Sequence, residues 1–261
     1  MKKKLISFVL LVLFVGIGVF AGWKIYEQQS EYQSGESAYD DLGQYVRIPD
    51  PVTSDIEKPN PPSESGEEES YEENDTIWPE VDFEALQVIN PDIVAWLYIE
   101  GTEINYPVVQ GADNEYYLKH LFDGTYNSSG CLFLDSRNTN DFTDAHSIIY
   151  GHHMKNGKMF AVLDGYKNQV FYDEHPVALL LTPNGNFKLE FFAGYVANVE
   201  EDAWQLGFTL QGFEDWVTAS VEKSCFESSV APAVTDKIVT LSTCSYEFHN
   251  ARFVLLGVIY R

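Results

Sequence analysis

Residues 237–260 read KIVTLSTCSYEFHNARFVLLGVIY. Two runs rich in Val, Ile, Leu and Thr flank a polar, turn-forming stretch, SYEFHNA at 245–251. That composition predicts two strands, 237–244 and 252–260, paired as an antiparallel hairpin. Such a hairpin brings Cys244 and Arg252 side by side at one end.

Further strand-like runs lie upstream at 104–110, 131–135, 147–151, 177–183 and 187–197, bounded by Gly, Asn, Asp or Pro, and another extended run starts at Ile93. Helical spacing is sparser. It occurs around Phe83, Leu86, Val88 and Ile89, over 114–122 and 158–166, and over 213–226 with Phe213, Trp216, Val217, Ser220 and Val221 on one face. Many strands and few helices predict a mainly β, α+β domain: a closed or nearly closed β-barrel with helices in its crossovers. No internal repeat is visible.

Composition divides the chain of 261 residues into four parts. Residues 5–23, LISFVLLVLFVGIGVFAGW, are uncharged and apolar; as a helix rising about 1.5 Å per residue they span a bilayer core of about 30 Å. Lys2, Lys3 and Lys4 precede them, so residues 1–4 are expected on the cytoplasmic side and everything after Trp23 outside. A cleaved signal has the same orientation, but the run exceeds the usual h-region of about 7 to 15 residues and Phe20 to Trp23 make a poor cleavage site. Residues 24–77 hold 15 acidic and 3 basic residues and five of the eleven prolines. Such a segment buries too little apolar surface to offset chain entropy and is expected to be an extended spacer. A catalytic domain over 78–261 remains.

A net charge of −24 makes nucleic acid a poor partner. It also repels anionic surfaces, so an anionic substrate needs a local cation such as Arg252. Three cysteines, Cys131, Cys225 and Cys244, are too few for a disulfide scaffold, and their odd number leaves at least one thiol unpaired. Cys131 and Cys225 sit in apolar sequence, as buried cysteines do. Cys244 lies among Ser242, Thr243 and Ser245 and opposite Arg252, where a guanidinium stabilises a thiolate or a developing oxyanion.

A thiol nucleophile needs a proton partner, and His120, His146, His152, His153, His175 and His249 are available. In SIIYGHHMKNGKMF an apolar strand ends at Gly151 and presents His152 and His153 on a loop, where catalytic groups commonly sit. His249 lies in the Cys244 turn itself. No His-x-x-x-His or Cys-x-x-Cys spacing accompanies the paired histidines, so neither a metal nor a cofactor is expected.

The residues TLSTC at 240–244 with Arg252 eight positions on, together with YGHHMKNGKMF at 150–160, resemble the sortases, cysteine transpeptidases of Gram-positive bacterial surfaces. The resemblance covers 78–261. WLYIEGTEINYPVVQG at 96–111, DNEYYLKHLF at 113–122, the LFLD, Ser and RN of 132–138 and the long helix before the last hairpin are similar to class B. It implies a closed eight-stranded barrel with an N-terminal helix. Cys244, His152 and Arg252 would be catalytic, His153 being the less favoured neighbour, and Asn114, Leu118 and Ser242 would line the substrate groove.

The implied reaction cleaves a C-terminal sorting signal of the LPxTG or NPxTN kind in a secreted protein and passes the acyl group to a cell-wall cross-bridge amine. A lysine of a pilin subunit is the alternative acceptor. Where some class B members carry an acidic residue two positions after the cysteine, this chain has Tyr246, and Glu247 is a weak substitute. A tethered, non-catalytic surface module with Cys244 merely buried is the rival from another class. A Cys hydrolase with its nucleophile before its histidine does not fit the order here.

Overall fold

The computed structural model describes residues 2–49 and 78–261. Eight strands close into a barrel: β3 (Ile93–Tyr98), β4 (Asn105–Val109), β5 (Leu132–Leu134), β6 (His146–Tyr150), β7 (Val177–Thr182), β8 (Gly185–Asn198), β9 (Ile238–Cys244) and β10 (Ala251–Tyr260). Around the barrel they run β10-β8-β7-β3-β4-β5-β6-β9. The pairs β4–β5 and β6–β9 are parallel and the other pairs antiparallel. The closed eight-stranded barrel expected from the sequence is therefore present.

Side chains alternate across each strand. One face of β9 and β10, with Val239, Leu241, Phe253 and Leu255, joins the interior with Ile149, Phe191 and Phe160. The opposite face, with Ile238, Val254, Leu256 and Val258, is covered by α4 (Leu210–Lys223), which buries Phe213, Trp216 and Val217 against it. Thr209 caps α4, its hydroxyl accepting from the Gly212 amide at 3.1 Å. Val221, expected on the buried face, is 47 % exposed. Burying aromatic and aliphatic side chains of this size stabilises by roughly 1.5–3 kcal/mol each, which is why this two-faced hairpin anchors the fold.

Two short helices flank the barrel, α2 (Phe83–Ile89) and α3 (Gln169–Glu174). In α2 only Leu86 is fully buried, while Val88 is 84 % exposed. The run 158–166 forms a 3-10 helix, Phe160–Lys167. The helix expected over 114–122 shrinks to one 3-10 turn, Tyr116–Leu118. The carbonyls it would need are used elsewhere: Tyr117 O accepts from the Cys131 amide, Leu118 O from His152 and Lys119 O from the Asn127 amide. Tertiary hydrogen bonds override a local helical pattern here.

The main departure from expectation concerns 24–77. The apolar segment is the first part of a single helix, α1 (Lys2–Asp40), long and apolar enough to cross a membrane. After it come a 3-10 turn, Asp41–Tyr45, and a strand, β1 (Val46–Arg47), paired antiparallel with β2 (Glu80–Val81). Leu42 is buried with Leu86, Trp96 and Phe122, and Tyr32 and Tyr39 pack against the barrel core. The extended course expected for the whole segment thus fails over 24–49, and 50–77 lie outside the described residues. Acidic residues dominate the segment's average composition, yet Tyr32, Gly35, Tyr39 and Leu42 recur at helical spacing and carry enough apolar surface to dock.

Candidate active site

The last hairpin has the register that its turn length implies. Arg252 is the direct cross-strand partner of Cys244, and on its other side faces Ala197 of β8. Both side chains belong to the outer face of the barrel, at the end not covered by α4, and both are half-buried. The Arg252 guanidinium is steadied by a 2.9 Å hydrogen bond from Nη1 to the Ala251 carbonyl.

His152 reaches the same end by a separate route. The parallel β6–β9 register runs from His146–Ile238 to Tyr150–Ser242. It is extended by the Gly151 amide donating to the Ser242 carbonyl at 3.1 Å and by the Thr243 hydroxyl donating to the Gly151 carbonyl at 2.8 Å. His152 and Cys244 are each the second residue beyond the last β6–β9 pair, so they stand level with one another at this end of the sheet. Gly151 is required between them: a Cβ there would lie 2.4 Å from Leu132 Cδ2 and 2.6 Å from Phe160 Cδ2.

The His152 ring is oriented by the protein. Its Nε2 lies 2.7 Å from the Leu118 carbonyl oxygen, which can only accept, so Nε2 carries the hydrogen. In the neutral ring Nδ1 is then the atom able to take up a proton. His153, by contrast, is tied up: its Nε2 pairs with Asp164 at 2.8 Å and its ring meets Tyr246 edge-on at 5.3 Å.

Asp164 belongs to a wider ion network. Lys167 Nζ reaches Asp164 at 2.7 Å and Glu247 at 2.6 Å, and Glu247 also accepts from the Ser245 hydroxyl. Burial raises the Glu247 carboxyl, but Lys167 and Ser245 outweigh it and hold it at about 2. Glu247 therefore fastens the turn after Cys244 to the 160–167 helix and is not turned toward His152. Tyr246 is 71 % exposed and puts no acid near the histidine.

Of the three residues expected to line a groove, Leu118 supplies the carbonyl that orients His152. Asn114 accepts the Ser136 amide at 2.7 Å, fixing the segment after β5. Ser242 is 2 % exposed and accepts from Trp204 Nε1 at 3.2 Å, beneath the loop between β8 and α4. Trp204 is a partner of Ser242 that sequence reasoning missed, because only the fold brings it to β9.

The other two thiols differ from Cys244. Cys131 is 1 % exposed, and burial pushes its thiol up to about 12. Cys225, expected in apolar surroundings, is exposed just after α4, although partial burial of its sulfur still raises its pKa.

Residues 97–259 match the family model described as Sortase domain. The chain belongs to the sortase family. This sortase is 33 % identical over 251 residues to sortase B of Listeria monocytogenes, covering 95 % of this chain and 94 % of that one. It is 34 % identical over 180 residues to sortase B of Staphylococcus aureus, covering 68 % and 74 %. The solved Staphylococcus aureus sortase B–substrate complex superposes with a TM-score of 0.66 at 34 % identity, covering 69 % of this chain and 84 % of that one. Fold, family and class B character agree, and the sortase is accordingly a cysteine transpeptidase.

Proposed function

We propose that Cys244 is the nucleophile of a class B sorting reaction, with His152 as proton partner and Arg252 as the cation at the reacting carbonyl. The observation that carries this reading is the shared level of the three residues at one barrel end, set by the β6–β9 and β9–β10 registers. The sulfur attacks a backbone carbonyl carbon in a C-terminal sorting signal of the LPxTG or NPxTN kind. The carbonyl becomes an oxyanion, toward which the planar Arg252 fork directs its N–H donors. As the oxyanion collapses the C–N bond breaks, and protonated His152 gives its Nδ1 proton to the departing amine. A thioester on Cys244 remains.

An incoming amine then attacks the thioester, His152 Nδ1 takes the amine's proton, and the C–S bond breaks to release the thiolate and a new amide. The acceptor is a cell-wall cross-bridge amine, and water in its place gives hydrolysis. The apolar start of α1 holds the enzyme in the cell membrane with Lys2, Lys3 and Lys4 inside and the barrel outside. Clients are secreted proteins that carry the signal.

The test is to incubate the full chain in detergent with fluorogenic peptides of both signal kinds, with and without triglycine, alongside Cys244→Ala. Cleavage by the parent, an amide-ligated product with triglycine and a silent variant are expected. Equal cleavage by Cys244→Ala would exclude the reading.

A further inference from the structure

We propose that Tyr39 of α1 is a positioning residue for His152, acting through the Gly130 carbonyl. The inference rests on His152 being the proton partner, and it adds a role for the helix that carries the N-terminal apolar segment.

Glu31, Gly35 and Tyr39 stand four residues apart and so share one face of α1. All three meet a single loop, 127–130. Asn127 Nδ2 donates to the Glu31 carbonyl at 2.9 Å, and the Ser128 amide donates to the Glu31 carboxylate at 2.7 Å. Gly35 lets the backbones close: a Cβ there would lie 3.0 Å from Ser129 Oγ and 3.2 Å from Asn127. The Tyr39 hydroxyl, its ring seated between Tyr106 and Phe122 at 5.3 and 5.4 Å, donates to the Gly130 carbonyl at 2.6 Å.

Gly130 lies close beside the histidine ring. It has a φ of 60°, and a Cβ on it would fall 3.0 Å from His152 Cδ2 and 2.7 Å from the Tyr117 carbonyl oxygen. The loop is also tied to the segment that orients the ring. The Cys131 amide donates to Tyr117 O at 3.0 Å and the Asn127 amide to Lys119 O at 2.9 Å, on either side of the Leu118 carbonyl that receives His152 Nε2–H. One side of the ring and its hydrogen-bond acceptor thus depend on a loop held by α1. The segment after the histidine is gripped as well, since Lys158 pairs with Glu36 of α1 at 3.5 Å and the Phe160 amide donates to the His152 carbonyl.

Holding the ring within a fraction of an ångström of its working place matters, because a shift of about 1 Å can cost as much as about 100-fold in rate. A helix that runs unbroken from Lys2 to Asp40 therefore couples the N-terminal segment mechanically to the proton-transfer group.

The experiment uses the full chain in detergent micelles. Tyr39→Phe removes one hydroxyl and keeps the ring packing; kcat is expected to fall about fivefold to tenfold, with KM within about twofold and the thermal midpoint lowered by only a few degrees, the cost of leaving the Gly130 carbonyl without its donor. Gly35→Leu drives α1 from the loop and is expected to lower kcat similarly, the double variant losing no more than the worse single one. Gln33→Ala, on the exposed face of α1, retains the parent rate. A second reading needs no substrate: with 13Cε1-labelled histidine, the His152 resonance and its titration midpoint are expected to move in Tyr39→Phe. Parent kcat together with an unmoved His152 resonance would overturn the proposal. Absence of any parent turnover would instead remove the sorting reaction, and the resonance would still decide the positioning role.

Discussion

Arg252 stands directly opposite Cys244 across the β9–β10 ladder, while His152 is brought level with the same cysteine by the parallel β6–β9 pairing. The thiol thus has a permanent cation on the neighbouring strand β10 and a titratable ring just beyond the end of β6, at an end of the barrel left open by α4.

Arg252→Lys is expected to lower kcat/KM at least about tenfold with folding intact. A lysine keeps the charge but replaces a planar fork, held by the Ala251 carbonyl, with a mobile point charge. Steady-state kinetics with a cleavable signal peptide, beside a thermal melt, checks this.

His152→Ala should abolish turnover, whereas His153→Ala should keep most of it. The His153 ring is engaged by Asp164, so its loss shows as a drop of about 0.5–1 kcal/mol in stability, small because Asp164 is 42 % exposed. Chemical denaturation of the two variants separates the effects. The reverse pattern would identify His153 as the working ring.

Glu247→Gln is expected to leave kcat within about twofold and to cost less than about 1 kcal/mol of stability. Its carboxylate is occupied by Lys167 and Ser245 and supports the turn, not the histidine. A kcat loss of about 100-fold with an altered pH profile would instead make Glu247 the missing acidic partner.

His146 gives the stability a pH dependence. Its Nδ1–H donates to the Gln205 carbonyl and its Nε2 accepts from Thr240, both at 2.7 Å, so the ring is held neutral. Burial outweighs the hydrogen bond to Gln205 and lowers its pKa from 6.5 to about 4. Between those values the unfolded chain takes up a proton that the folded chain refuses. This stability is therefore present above pH 6.5 and lost as pH falls toward 4, at about 1.4 kcal/mol per unit and up to about 3 kcal/mol in all. Urea titrations at pH 7 and pH 4.5 should show a flatter loss in His146→Gln than in the parent.

The barrel was legible because its strands are short β-branched and aromatic runs with clear breaks, and the Cys244–Arg252 pair because a hairpin fixes register locally. The level of His152 with Cys244 was not, since parallel strands some 90 residues apart leave no local signal of their alignment. The 114–122 segment misled because its helical spacing says nothing of the carbonyls of Tyr117, Leu118 and Lys119 being claimed by other segments. The docking of 31–47 was obscured by averaging: the acidic and proline bias lies mostly beyond Pro49, while Tyr32, Gly35, Tyr39 and Leu42 already marked a contact face. Trp204 against Ser242 had no sequence signature, being a contact across 38 residues made only by the fold.

The most direct measurement is the covalent intermediate itself. The full chain is mixed with a sorting-signal peptide in the absence of added amine, quenched in acid, digested and mapped by mass spectrometry. An acyl group carrying the N-terminal part of the signal is expected on the peptide containing Cys244, discharged by triglycine and missing from Cys244→Ala. Peptide cleavage with the acyl group on another residue, or persisting in Cys244→Ala, would contradict the assignment of Cys244 as the nucleophile.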